Sequence, residues 1–513
     1  MSQGKLPFQY EIEEGSSGLT ALAGLPVYLE LAAVMGLRKS VEQYVQTHVR
    51  RQGWTDSQMV TSLVLLNLAG GDCVGDLKKL EADDGFCRVL KRSEWVGLPR
   101  RERRELERRW RRERKRVLPS ATATFRYLDR FHDKDQEILR EKLRQTPEAP
   151  KSFIPLPNAA LRGLPLVNRD LLAFSAAQGV DEIATLDADA TISETTKASA
   201  LYCYKHMKGY QPHNVWWAEQ GLMVHTEFRD GNVGAGYEQL RVFKEALTYL
   251  PAGVKKVRLR SDTAGYQHKL LRYCDRGDDK RFGRIEFAVS SDVTEDFKKA
   301  VAEVEEEDWH KTYKIVHGRK VEADMEWAEV CFVPTVIAKS HRVLEYRYLA
   351  TREPMLEQEL PGMESQKELP FPTMRMVGAK YKVFGVVTNM DWEGEKLIHW
   401  LHERCGKSEE AHSALKNDLA GGRFPSQHFG ANAAWWITVL AHNINAIMKR
   451  HVFRDEWANK RMKAIRFSLI NLPGRVLEHS RRLVIRLTQW QPMARFLMEV
   501  RCRIAALVPV PTG

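Results

Sequence analysis

The sequence predicts an α/β fold whose core is split by a β-rich insertion and flanked by helical regions. Three observations predict it. Between residues 176 and 305, short strand patterns alternate with helical ones. From 306 to 400 the alternation gives way to strand patterns punctuated by Gly and Pro. Near both ends of the chain, apolar residues recur at helical spacing. A chain of 513 residues exceeds one compact core, so about two to four domains are expected.

Residues 1–90 read as a helical region. Pro26 opens Val27–Met35 and Gly36 closes it. Thr55 and Gln58 form a capping box before a helix running to Leu68, which Gly70-Gly71 ends. Residues 91–175 read as a basic helical linker. Its segment Arg100–Arg116 holds eleven Arg/Lys and four Glu, a net of +7, with Leu106 and Trp110 its only apolar residues. A solvated helix laced with i,i+4 ion pairs has this composition. The surplus of Arg over Glu points further, to phosphate, with Arg108, Arg109 and Arg112 as candidate DNA contacts. Ser120 caps a following helix that carries Phe125, Leu128 and Phe131.

In the core's first part, 176–305, Glu182–Thr191 alternates as a strand and Val215–Phe228 supplies one or two more. Tyr237–Leu250 reads as a helix, Lys256–Asp262 as a strand, Tyr266–Cys274 as a helix and Arg284–Ser290 as a strand. In the insertion, 306–400, Tyr313–Glu322, Trp327–Val333, Val343–Ala350 and Met374–Val387 read as strands that separate the first sheet from a late helix. That helix, Arg404–Gly422, opens the core's second part, 401–455, and is capped by Ser408. The apolar Ala433–Met448 comes after it and covers the sheet. Residues 456–513 read as a basic helical tail.

Lys+Arg total 79 against 67 Asp+Glu, giving +12 and a pI near 9.2. A basic surplus on a chain that is 43% hydrophobic suggests a globular protein with a polyanionic partner. The seven cysteines are scattered without a C-x-x-C pair, which argues for a reduced, intracellular setting and no structural zinc. No secretory pattern opens the chain, and the longest apolar run, Val60–Ala69, is too short to span a bilayer. A soluble, cytoplasmic protein with no membrane partner is expected.

The chemistry rests on carboxylates. Asp187 and Asp189 share one face of the first strand by its two-residue period, and Asp262 ends the strand of Lys256–Asp262. Ligand sites in α/β sheets form at the carboxyl ends of strands. On the helix beginning near Arg404, a turn of about 100° per residue puts Glu409, His412 and Lys416 within about 60° of one another. Ala411, Ala414 and Leu415 lie opposite. Taken alone, that stripe describes a solvated amphipathic helix. Three carboxylates with open positions suit Mg²⁺ or Mn²⁺, and two such ions activate a water and stabilise the leaving oxygen of a phosphodiester. Acids on the first strand, at the end of the fourth and on a late helix match the layout of an RNase H-like nuclease core.

With these residues in view, the sequence resembles a bacterial insertion-sequence DDE transposase of the cut-and-paste group. That group carries a β-rich insertion between the second Asp and the Glu. The likeness runs through Gly18–Pro26, Leu66–Asp72, Asp187–Thr191, Arg229–Asn232, Arg258–Asp262 and Arg404–Glu410. The resemblance implies Asp189 as first metal ligand with Asp187 as alternate, Asp262 as second, and Glu409 as third with Glu410 as alternate. It implies Lys416 at DNA phosphate near the cut end, with Arg404 as a further candidate DNA contact. The family signature runs Tyr, two residues, Arg, three residues, Glu, six residues, Lys. Glu409 to Lys416 keeps the last gap, but four residues separate Arg404 from Glu409 and no Tyr precedes.

The expected function is DNA transposition by a homodimer. Residues 1–90 and basic surfaces would hold the terminal inverted repeats; Mg²⁺-dependent hydrolysis would free 3′-OH ends for joining to target DNA. The alternatives are a DNA-binding protein that keeps the fold without the chemistry, and a nuclease of this fold without strand transfer. Arg229 reads as a turn residue or a DNA contact, and His412 as facing DNA or supporting a ligand. Trp309, Trp327, Trp392 and Trp400 read as core, or as platforms for an unpaired terminal base.

Overall fold

The computed structural model describes the chain apart from residues 1–16, 48–52, 96–97, 113–115, 146–151, 180, 317, 335–345, 356–370, 377–378, 434, 480–481, 489–491 and 508–513, and apart from the side chains at 109–112, 316, 435 and 455. It folds as two units. One comprises Met1–Lys142, Pro155–Gln178 and Ser413–Gly513; the other comprises Leu143–Ile154 and Gly179–His412.

The second unit is built on one ten-stranded sheet. Its first strand, β1 (Ile183–Ala190), is flanked by β2 (His213–Trp217) and β4 (Lys256–Ser261). Strand β3 (Leu222–Glu227) closes an antiparallel hairpin with β2. Strand β5 (Glu286–Ser291) runs parallel to β4, as β4 does to β1. Parallel neighbours need crossover helices, and α1 (Gln239–Tyr249) and α2 (His268–Arg276) supply them. The resulting order is β3-β2-β1-β4-β5. Ala184, Leu186 and Ala188 of β1 and Val257 and Leu259 of β4 are buried, as central strands require.

The inserted strands lengthen this sheet. The chain reverses between β6 (His310–Val316) and β7 (Arg319–Val330), inside the stretch that reads as one strand in sequence. Strand β8 (Arg347–Pro354) pairs with β7; part of the expected Val343–Ala350 strand, 343–345, lies outside the described residues. Strands β9 (Thr373–Met376) and β10 (Ala379–Thr388) replace the single expected strand of Met374–Val387. Strand β10 then pairs antiparallel with β5, so insertion and core share one ladder. An unanticipated helix, α3 (Glu295–Ala302), comes after β5; the Thr294 hydroxyl accepts from Phe297 N at 3.2 Å, and Phe297 and Val301 are buried.

Helix α4 (Gly394–His402) leaves the insertion. The Glu393 carboxylate caps it, accepting from Glu395 N and Lys396 N at 2.9 Å each. Leu397, Ile398 and Leu401 pack on Ala288, Trp327, Leu349 and Val386 of the sheet. Each buried aliphatic side chain contributes about 1.5–3 kcal/mol. This packing fixes where the next helix begins.

In the first unit the Thr55–Gln58 capping box forms as its sequence indicates, at 3.2 and 3.1 Å. Helix Trp435–Ile447 packs on Asp56–Ala69 and Ala159–Ala177 within its own unit, where the sequence reading has it covering the sheet. The tail is not wholly helical. Gly474–His479 and Arg482–Arg486 form a hairpin, and Leu19–Thr20 pairs with it. The signal was present in Leu483-Val-Ile485, an apolar run between arginines with two β-branched residues.

Candidate active site

The ends of β1 and β4 bring four charged residues together. Asp187 and Arg260 stand in register across the two parallel strands. Both are 1% exposed, and Arg260 grips the carboxylate with Nε at 2.6 Å and Nη2 at 2.9 Å. Burial pushes the Asp187 carboxyl up, with the guanidinium opposing. The Arg260 Nη1 donates to the Trp400 carbonyl at 2.5 Å, and its guanidinium lies 5.0 Å from the Trp400 ring. Arg260 therefore ties two strands to the end of α4. Neither half of this pair was legible as a pair, because it depends on strand register.

Two residues further on, Asp189 and Asp262 occupy the strand ends without such closure. Asp262 caps the turn Thr263–Gly265, accepting from Ala264 N at 3.0 Å. The turn is tight: a Cβ on Gly265 would lie 2.4 Å from the Ser261 side chain. Burial raises the Asp262 pKa, and the charge of Asp189 raises it further. Burial likewise raises Asp189, with Arg404 and Ser408 opposing and the charge of Glu409 adding. Two partly desolvated carboxylates, each with a neighbouring carboxylate that disfavours its ionisation, call for a cation.

The third contributor is α5 (Arg404–Ser413). It is broken near its start, where Cys405 (ψ 130°) and Gly406 (φ 89°) leave helical geometry. Ser408 is therefore not the cap that the sequence suggests. It is buried, and its hydroxyl donates to Asp189 Oδ2 at 3.1 Å. Arg404 Nη1 donates to the same oxygen at 3.3 Å, and its charge acts on both aspartates. Glu409, one residue beyond Ser408, is exposed.

No curated protein matches the chain. The family model for the transposase DDE domain, group 1, matches residues 11–509. The chain belongs to this family of DDE transposases. The transposase is also similar to a solved structure, the piggyBac transposase synaptic complex with hairpin DNA, at 10% identity over 97% of this chain and 89% of that one, with a TM-score of 0.40.

The remaining candidate residues of the transposase sit in very different surroundings. Asp187, the alternate ligand, is occupied by Arg260. Glu410 is exposed next to Glu409. Arg229 is fully buried, paired with Glu227 at 2.7 Å, so from this position it offers no surface to DNA. His412 is also buried, so from this position it offers little surface to DNA. Lys416 lies past α5 in a π-helical turn, Ala414–Asp418, where Leu419 N donates to Ala414 O at 2.9 Å. A wider turn does not keep the 100° step that aligns Lys416 with Glu409. Arg108 is exposed on the helix Arg100–Arg112, while the side chains of Arg109 and Arg112 lie outside the described residues. Trp309 and Trp327 are each 8% exposed and belong to the core; Trp392 and Trp400 pack against it. Among the described residues no single helix is long and apolar enough to cross a membrane.

Among the described residues no three His, Cys, Asp or Glu side chains converge closely enough to enclose a metal ion. The donor chemistry nevertheless fits a hard divalent cation. Asp189 and Asp262 offer only oxygens, burial raises the proton affinity of both, the charge of Asp189 raises that of Asp262 further, and a guanidinium is the cation beside them. Ser408 and Arg260 are the functional residues that sequence reasoning missed.

Proposed function

We propose that this transposase excises a DNA element by cutting at its terminal inverted repeats and joins the freed 3′-OH ends to target DNA. The observation that carries the reading is the pair of half-buried carboxylates Asp189 and Asp262 at adjacent strand ends, with the charge of Asp189 acting on Asp262 and that of Glu409 on Asp189. The strand order β3-β2-β1-β4-β5, antiparallel hairpin first and parallel strands after, supports an RNase H-like core. Asp189, Asp262 and Glu409 would hold Mg²⁺ or Mn²⁺. When bound, such an ion supplies Lewis-acid activation of the attacking oxygen and charge for the leaving one.

The chain's own residues do the rest. Arg260 fixes the spacing of β1, β4 and the end of α4. Ser408 orients one oxygen of Asp189. Arg404 neutralises the aspartates until a substrate phosphate or ion competes for them. Lys416 and the arginines of Arg100–Arg112 would contact phosphates, and pairing of two element ends implies a dimer. Hydrolysis and strand transfer are both in-line displacements, so one carboxylate site serves both.

The Arg404–Asp189 contact also favours a second reading, a DNA-binding protein that keeps the fold without the chemistry. One experiment separates them. A plasmid bearing the element's flanking repeats is incubated with wild type or Asp262→Ala, in Mg²⁺ or EDTA. Cleaved ends with wild type in Mg²⁺ alone support the enzyme; equal behaviour of the two proteins overturns it.

A further inference from the structure

Beyond β1 the chain does not turn straight into β2. It extends into a small three-stranded flap: Ser193–Glu194 pairs with Lys208–Tyr210, which pairs with Leu201–Tyr202. The flap continues the ladder that holds Asp189 opposite Asn214. Six to eight residues along and two strands across, at about 3.3 and 4.8 Å per step, put Tyr202 and Tyr204 about 20–30 Å from Asp189. That is on the order of six to eight base-pair rises.

Among the described residues the tip carries the most exposed tyrosines, Tyr202 at 62% and Tyr204 at 70%. Each ring is partnered only loosely, by Lys208 Nζ at 5.6 Å and Lys205 Nζ at 5.7 Å. Cys203 N donates to Met207 O at 2.9 Å and closes the tip. The flap is firmly seated. Gln211 N donates to Arg229 O at 2.9 Å, and a Cβ on Gly231 would fall 2.6 Å from Leu201 O and 2.7 Å from Gly209 O. The Arg229–Asn232 motif thus serves as the seat of the flap rather than as a DNA contact.

We propose that this flap is a DNA-stacking element: Tyr202 or Tyr204 takes an unpaired base several nucleotides from the cut site, while Lys205 and Lys208 leave the rings for adjacent phosphates. Tyrosine faces paired with lysines match a splayed strand, which offers bases and phosphates together. The proposal rests on the transposase reading above and adds to it which surface holds the opened end. It also replaces the tryptophans as stacking candidates, since Trp309 and Trp327 are buried.

The probes are a blunt duplex from the element end and the same duplex with a short unpaired arm carrying 2-aminopurine, both in EDTA. Wild type is expected to bind the splayed probe more tightly and to quench its fluorescence. Tyr202→Ala/Tyr204→Ala is expected to lose the quench and about tenfold in affinity for the splayed probe alone. Tyr202→Phe/Tyr204→Phe keeps the rings and is expected to restore both, which separates stacking from misfolding. The proposal is overturned if the alanine variant matches wild type, if it weakens equally on both probes, or if it changes the oligomeric state instead. Wild type that cuts DNA but shows no quench sinks the flap alone; wild type that binds neither probe sinks the transposase reading with it.

Discussion

Two aspartates stand two residues apart on one face of β1, and their surroundings differ completely. Asp187 is sealed by a bidentate guanidinium at 1% exposure. Asp189 keeps 19% exposure and shares one oxygen between a serine and an arginine held at 3.1 and 3.3 Å. The neighbouring strand repeats the contrast, with Arg260 inside and Asp262 at the rim. A carboxylate that is closed on both oxygens holds the fold; one left partly open at a strand end is available for chemistry. Sequence spacing alone does not separate the two, because alternation puts both on the same face.

The contrast can be broken at its inner member. Arg260→Ala strands Asp187 as a buried unpaired charge and is expected to cost about 3–5 kcal/mol, read by urea unfolding. At the outer member, Asp262→Asn keeps the cap on the Thr263–Gly265 turn and is expected to reduce cleavage by more than about a hundredfold. Without divalent ions the same variant is expected to be more heat-stable than wild type. The folded-state pKa of Asp262 is raised, so its ionisation destabilises the fold as pH climbs from the ordinary carboxylate range. The stability gap should widen toward neutrality, measured by melting at stepped pH, and Mg²⁺ should narrow it by stabilising wild type only.

Ser408→Ala sharpens the comparison, since it frees one side of Asp189 without touching Asp187. An expected loss of about 10–100-fold in metal affinity, with unchanged unfolding, would mark the serine as a positioning residue. The smallest effect belongs to a pair away from the site. Glu245 meets His225 at 3.1 Å and Arg241 at 2.8 Å. Burial pushes its carboxyl up, but these partners outweigh burial and hold it down at about 2. A depressed carboxyl contributes stability that is lost as pH falls from its ordinary value through the folded one. Glu245→Gln should therefore cost no more than about 1 kcal/mol at neutral pH, and the difference should vanish near pH 2.

The parts of this molecule that were legible in sequence are those set locally. Alternation in Ile183–Ala190 and Lys256–Ser261 marked both strands, and their ends marked Asp189 and Asp262. Thr55 and Gln58 announced their capping box. Features that depended on distant partners were hidden. Ser408 looked like a cap because nothing in its neighbours reveals the break at Cys405–Gly406. Arg229 and His412 looked like surface because polar side chains usually are, and only the packed fold buries them. The reach of Lys416 was set along an ideal helix that a π-turn interrupts.

The pairing of β10 with β5 has a practical bearing on anyone who would shorten this protein. An insertion that formed its own barrel could be excised like a cassette. Here, removing residues 306–390 would bare the hydrogen-bonding edge of β5, with Phe287, Ala288 and Val289 behind it. Such an unprotected edge recruits strands from other chains. A minimal version of this transposase would precipitate unless the exposed edge were covered by a charged or proline-bearing guard strand.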